Sequence, residues 1–181
     1  MYRIKKTNIE NCIEIFPNVF EDNRGITIKP YHRKSFEDLG ILEEFKEDLF
    51  VTSSKGVIRG LHFQNEPFEQ SKLIYCLKGS ILDVAIDIRK GSKTYGQTVN
   101  FHIDSKKRNM AYIPAGFAHG YEVLEDDTMV VYKLSSMYAP EYEEGIRWDS
   151  VNIDWNTSNP ILSDKDKKWQ TFLEYTNSSL E

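Results

Sequence analysis

The segment Arg59-Gly60-Leu61-His62-Phe63-Gln64, with Lys72 ten residues after His62, sets a base and two cations on short apolar stretches. Tyr132, within Val130-Val131-Tyr132-Lys133, adds a phenol on a later stretch of the same kind. No nucleophile beside an activating base accompanies them. Base, fixed cation and phenolic acid together suit proton abstraction next to a carbonyl. The base removes the α-proton, the cation holds the enolate oxygen, and the phenol returns a proton to the opposite face. The net result is inversion of a carbon centre. Each residue also has an ordinary structural role: a strand histidine is often simply part-buried, a lysine snorkels at a barrel mouth, and a tyrosine packs across strands. Arg59 and His62 differ in parity, so an ideal strand sends them to opposite faces. For both to serve one site, Gly60 must mark a bulge or Arg59 must lie at the rim.

The elements that position these residues read as short strands. Apolar, β-branched runs cover 50–57, 61–63, 73–77, 81–88, 97–103, 110–113, 121–123 and 129–134. Turn signals such as Lys78-Gly79, Lys90-Gly91-Ser92 and Glu125-Asp126-Asp127 separate them. Strands at this spacing predict an all-β sandwich or barrel, and a jelly roll matches their number. An earlier strand over 13–19 runs into Glu21-Asp22-Asn23-Arg24-Gly25, a tight turn with Arg24 at its rim. Asp83 and Asp87 share one face of the 81–88 run, which is either solvated or a polar lining. Two helices are expected. The first has Ser35 as N-cap and Gly40 at its end; the second starts at Ser163, with Asp166 at capping-box spacing, and continues through an amphipathic 169–175.

Composition sets the outer bounds. The chain has 181 residues, 40% of them hydrophobic and 13% aromatic, which excludes a disordered protein and predicts one domain spanning 1–181. A net charge of −5 argues against a nucleic-acid surface, although local arginines can still hold one diphosphate. The first ten residues hold no apolar run of signal-peptide length, and no stretch is long enough to cross a bilayer, so neither membrane nor secretion is expected. Cys12 and Cys76 read as free thiols of a reducing compartment, which predicts a cytoplasmic protein.

The run Ile113-Pro114-Ala115-Gly116-Phe117-Ala118-His119 is similar to the second signature of the cupin superfamily, Pro-x-Gly-x-x-His. In metal-binding cupins the first signature supplies His-x-His and a glutamate. Here that position reads His62-Phe63-Gln64 with Glu69 beyond, and an amide is a poor substitute for imidazole toward a transition metal. No metal is therefore expected. Further motifs run nearly end to end: Asp22-x-Arg24-Gly25, Gly56 to Gln64, Lys72-Leu73, Asp83 to Arg89, Tyr95-Gly96, His119-Gly120, Tyr132-Lys133, Tyr138, Gly145-Ile146-Arg147-Trp148, Ile153-Asp154-Trp155 and Leu162 to Asp166. In these the chain resembles the dTDP-4-dehydrorhamnose 3,5-epimerase family. The resemblance implies a cupin-type jelly roll, a homodimer whose N-terminal strands reach the partner's site, and cofactor-free epimerisation of a nucleotide-linked 4-keto-6-deoxy sugar. By matching position it makes His62 the base, Asp166 its orienting carboxylate, Lys72 the enolate stabiliser and Tyr132 the acid. Arg59 and Arg24 would hold the diphosphate, Lys29 and Gln64 would contact substrate, and His119 and Tyr138 would line the sugar site.

The chain departs from the family in two segments that hold nucleotide and sugar. Arg-Gly-Phe-Phe-x-Glu is here Arg24-Gly25-Ile26-Thr27-Ile28-Lys29, and Gln-x-Asn-x-Ser-x-Ser is Glu47-Asp48-Leu49-Phe50-Val51-Thr52-Ser53. Losing groups that bond a base edge relaxes selection for that base. A CDP- or GDP-linked sugar, or a heptose, thus stands beside dTDP as an alternative, and inversion at C3, at C5 or at both is open. Two readings of other classes also remain: a metal-dependent cupin oxygenase using His62, Glu69 and His119, and a sugar-binding jelly roll without catalysis.

Overall fold

Short β-rich runs broken by turns fold as two facing antiparallel sheets in a computed structural model that describes residues 2–178. The strands are β1 (Arg3–Lys6), β2 (Ile13–Phe16), β3 (Val19–Asp22), β4 (Gly25–Ile28), β5 (Glu47–Ser53), β6 (Ile58–Gln64), β7 (Lys72–Lys78), β8 (Ser80–Asp87), β9 (Thr98–Asp104), β10 (Met110–Ile113), β11 (Phe117–Val123), β12 (Thr128–Leu134) and β13 (Glu143–Gly145). One sheet has the order β1-β2-β10-β7-β12-β5 and the other β13-β6-β11-β8-β9. Neighbours in space are mostly not neighbours in sequence, as in the jelly roll expected. The exposed hairpin of β3 and β4 forms a separate two-stranded sheet.

Burial alternates along β5 and β9, whereas β10 and β11 are buried throughout. Ile74, Ile81, Phe101, Ile103 and Val123 belong to one buried apolar core, while polar residues including Arg59, His62, Lys72 and His119 line a cleft. Two satellite clusters seal the outer faces. Phe36, on α1 (Arg33–Glu37), packs edge-on against Tyr2 and Tyr31 outside the first sheet. Phe172 and Tyr175, on α2 (Phe172–Ser178), cover Leu61 and Phe63 outside the second.

Several local expectations give way. The run 13–19 is not one strand, because Pro17 offers no N–H to a ladder and the chain restarts as β3. Ser35 is not an N-cap. His32 takes the extended cap conformation, and Ser35 lies inside the helix with its hydroxyl 3.0 Å from His32 Nδ1. The second helix does not run on from Ser163: a 3-10 turn at Asp166–Lys168 ends at Trp169, whose ψ of 149° breaks it before α2. Asp83 and Asp87 are not solvated, both being fully buried. Asp87 accepts hydrogen bonds from Arg89, Ser92 and Thr94, and Asp83 faces His119.

Candidate active site

The parity conflict on β6 is resolved by a bulge. His62 pairs with His119 and Arg59 with Tyr121, so two residues on β6, Gly60 and Leu61, lie opposite one on β11, Gly120. Gly60 takes φ +122° there, and a Cβ on it would stand 2.6 Å from Gly120 Cα and 2.7 Å from the His119 carbonyl oxygen. Only glycine fits this approach. The extra residue turns Arg59 and His62 into the same cleft of about 360 Å³, which is also lined by Glu47, Leu49, Lys72, His119, Tyr132, Tyr138 and Glu143.

His62 Nε2 lies 2.5 Å from Asp166 Oδ1. Asp166 is delivered by the 3-10 turn, whose first N–H donates to Ser163 Oγ at 3.0 Å, so the Ser163 cap forms while the Asp166 carboxylate turns to the imidazole. Trp169 Nε1 donates to the same carboxylate at 3.3 Å. Burial pulls the Asp166 pKa upward, but hydrogen bonds led by that of His62 outweigh it and hold the carboxyl below its ordinary value. Lys72, the first residue of β7, is buried and donates to the His62 carbonyl at 3.1 Å. Burial lowers its pKa to about 8, against the pull of Asp83 and Glu143. Tyr132 enters from β12, its pKa raised well above that of free tyrosine by burial and then by Tyr121 and Asp83. His119 Nε2 meets Asp83 Oδ1 at 2.7 Å, with a pKa lowered by burial in spite of that carboxylate. An imidazole held on one nitrogen, a buried lysine of lowered pKa and a phenol around one cleft can together remove a proton from carbon, hold an oxyanion and return a proton.

Comparison with known proteins decides the family. A family model described as dTDP-4-dehydrorhamnose 3,5-epimerase matches residues 6–174. The chain belongs to this family. A dTDP-4-dehydrorhamnose 3,5-epimerase of Shigella flexneri is 43% identical over 172 residues, covering 93% of this chain and 95% of that one. The crystal structure of the Bacillus anthracis enzyme of that name, with TDP and PPi bound, is 35% identical with a TM-score of 0.93, over 95% of this chain and all of that one. A dTDP-6-deoxy-D-glucose-3,5-epimerase from Legionella pneumophila, in complex with dTDP-4-keto-L-rhamnose, is 36% identical with a TM-score of 0.93, over 99% of this chain and 97% of that one. The jelly-roll architecture is thus that of solved epimerases, and the chain is by family an isomerase.

Not every residue singled out for this epimerase-family site lies in the cleft. Gln64 is buried and turned away, its amide donating to the Phe68 and Met137 carbonyls and accepting from the Ala139 N–H, so it ties down the loop that carries Tyr138. Arg24 sits on the exposed hairpin, paired with Asp22, and Lys29 follows the same hairpin; neither lines the cleft. Glu69 is exposed, and among the described residues no group of three or more His, Cys, Asp and Glu is placed to hold a metal. Two residues emerge that the sequence did not single out for the chemistry. Glu143 accepts from Tyr138 Oη at 2.5 Å and pairs with Lys165, which together outweigh its burial and lower its pKa. Glu47 accepts the Tyr138 N–H at 2.8 Å. Glu141-Tyr142-Glu143-Glu144 reads as a solvated loop, and nothing local marks Glu143 as facing inward.

Proposed function

We propose that this chain epimerises C3 and C5 of a dTDP-linked 4-keto-6-deoxy hexose, the chemistry of dTDP-L-rhamnose biosynthesis. The observation that carries the reading is the His62–Asp166 pair at 2.5 Å in one cleft with Lys72 and Tyr132. Asp166 fixes the proton on Nε2 and leaves the Nδ1 lone pair to act as base. As His62 takes the proton α to the keto group, the C–H electron pair moves onto the carbonyl oxygen. Lys72 holds that enolate, an interaction worth about 3 kcal/mol in comparable oxyanion sites. Tyr132 then delivers its proton to the opposite face and the ketone re-forms; solvent restores both groups. Each group the cycle needs comes from the polypeptide, so no cofactor enters it. Arg59 holds the diphosphate, and His119 and Tyr138 line the sugar.

The nucleotide is taken as dTDP because the relatives' names carry it. A buried lysine of lowered pKa beside a carboxylate-held histidine is superfluous for binding alone, which sets the non-catalytic reading aside. The working form is a homodimer acting in the cytoplasm as one catalytic domain. The hairpin carrying Arg24 and Lys29 leaves Phe20 63% and Ile26 48% exposed, and we place it on the partner, with its cations at the partner's cleft. Incubation with dTDP-4-keto-6-deoxyglucose is expected to yield the doubly inverted sugar by NMR, whereas His62→Ala loses about 10²–10⁴ in rate. Turnover of a CDP- or GDP-linked sugar in its place would move the specificity and keep the chemistry.

A further inference from the structure

The interior beneath the cleft holds polar groups that the cycle above does not use. Tyr121, on β11, lies directly across from Asp83 on β8 and is fully buried. Its ring stands 6.2 Å from that of Tyr132, at 45°. Two buried side-chain atoms lack a hydrogen-bond partner among the described residues, and both are here: the Tyr121 hydroxyl and Asp83 Oδ2. The other Asp83 oxygen is engaged by His119. A buried hydroxyl without a partner weakens the fold where a phenylalanine of the same shape would not, so its presence calls for a use. Tyr132 is close enough for the two phenols to perturb each other's acidity, their contact lowering the pKa of Tyr121 and raising that of Tyr132 with both phenols in place, while the charge of Arg59 favours the ionised form of both.

On the reading of Tyr132 as the acid, we propose that Tyr121 is a positioning residue behind it, whose free hydroxyl donates a hydrogen bond to the Tyr132 oxygen as that oxygen yields its proton to carbon. The Tyr132 O–H bond breaks and a C–H bond forms. The electron pair left on the Tyr132 oxygen is met by the Tyr121 O–H, which remains intact, and the pair shares the negative charge until solvent returns a proton. Burial disfavours charge on Tyr132 more strongly than any other influence on it. A donor not committed to another acceptor, already in place, responds to that charge without reorganising the site.

The test is Tyr121→Phe with dTDP-4-keto-6-deoxyglucose in D₂O. Deuterium entering recovered substrate reports proton removal on the His62 face, and inverted product reports delivery from Tyr132. Exchange is expected to stay close to the native rate. Inversion slows roughly ten- to a hundredfold, the range a hydrogen bond to a charged group spans. Tyr132→Phe is the control and should exchange without inverting. Native inversion in Tyr132→Phe would overturn the reading beneath the proposal. An unchanged ratio of inversion to exchange in Tyr121→Phe, beside a Tyr132→Phe that no longer inverts, would overturn the positioning role alone. Equal loss of both rates in Tyr121→Phe, or a variant that does not fold, would assign the hydroxyl to packing and also overturn it.

Discussion

Lys72 is under opposite demands from folding and from chemistry. Burial lowers its pKa to about 8, whereas in the unfolded chain it lies at about 10.4. Between those values the unfolded chain binds the proton and the folded chain does not, so this residue's contribution to stability grows as pH rises. In the role proposed for it, as stabiliser of an enolate, it weakens over the same interval. Epimerisation is therefore expected to fall along an alkaline limb centred near pH 8. Lys72→Met should lose about 10²-fold or more in rate while its thermal midpoint rises, since an apolar side chain replaces a buried cation. A rate flat to pH 10 in the native protein would remove Lys72 from the chemistry. That His62, Lys72 and Tyr132 meet in one cleft was legible because their types match a proton-transfer cycle and sit on apolar runs. Glu143 was not: only the fold brings Tyr138 and Lys165 to it, and a glutamate in an acidic loop carries no local sign of burial.

Elements act on the site through close backbone approaches. Gly145 on β13 lies under the Trp169 ring, where a Cβ would come within 2.5 Å of Cε2. Trp169 in turn holds Asp166, and its ring stands 6.1 Å from that of His62. Gly145→Ala is expected to push the indole outward, cost about 1–3 kcal/mol by overpacking, and lower turnover more than tenfold through the displaced carboxylate. Denaturant unfolding and steady-state rates check the two effects separately. Loss of stability with native turnover would uncouple the indole from the dyad. The strand segments were readable because alternation and Gly- or Asp-rich turns are local. Helical segments were misjudged because capping-box spacing competes with a local neighbour at Ser35 and with a tertiary partner near Ser163. His32 takes the cap position from Ser35, and His62 claims the Asp166 carboxylate. The bulge at Gly60 was legible only as a requirement, from the parity of Arg59 and His62.

At the scale of the whole molecule, the sequence announced an all-β chain without giving the order of its strands. That order depends on pairings far apart in sequence, such as β2 with β10 and β5 with β12, which no local period encodes. Assembly is the next level. The hairpin of β3 and β4 is exposed along its length and joins neither main sheet. Removing 19–29 should convert the proposed dimer to monomers by sedimentation and weaken dTDP binding, since Arg24 and Lys29 leave with it. A native protein that sediments as a monomer would contradict this. Whether His62 removes a proton from carbon is read most directly by deuterium entry at C3 and C5 of dTDP-4-keto-6-deoxyglucose in D₂O. Exchange is expected at both carbons, slowed about 10²–10⁴-fold in His62→Ala. Exchange at the native rate in His62→Ala, or a native protein that exchanges neither carbon, would contradict the role given to His62.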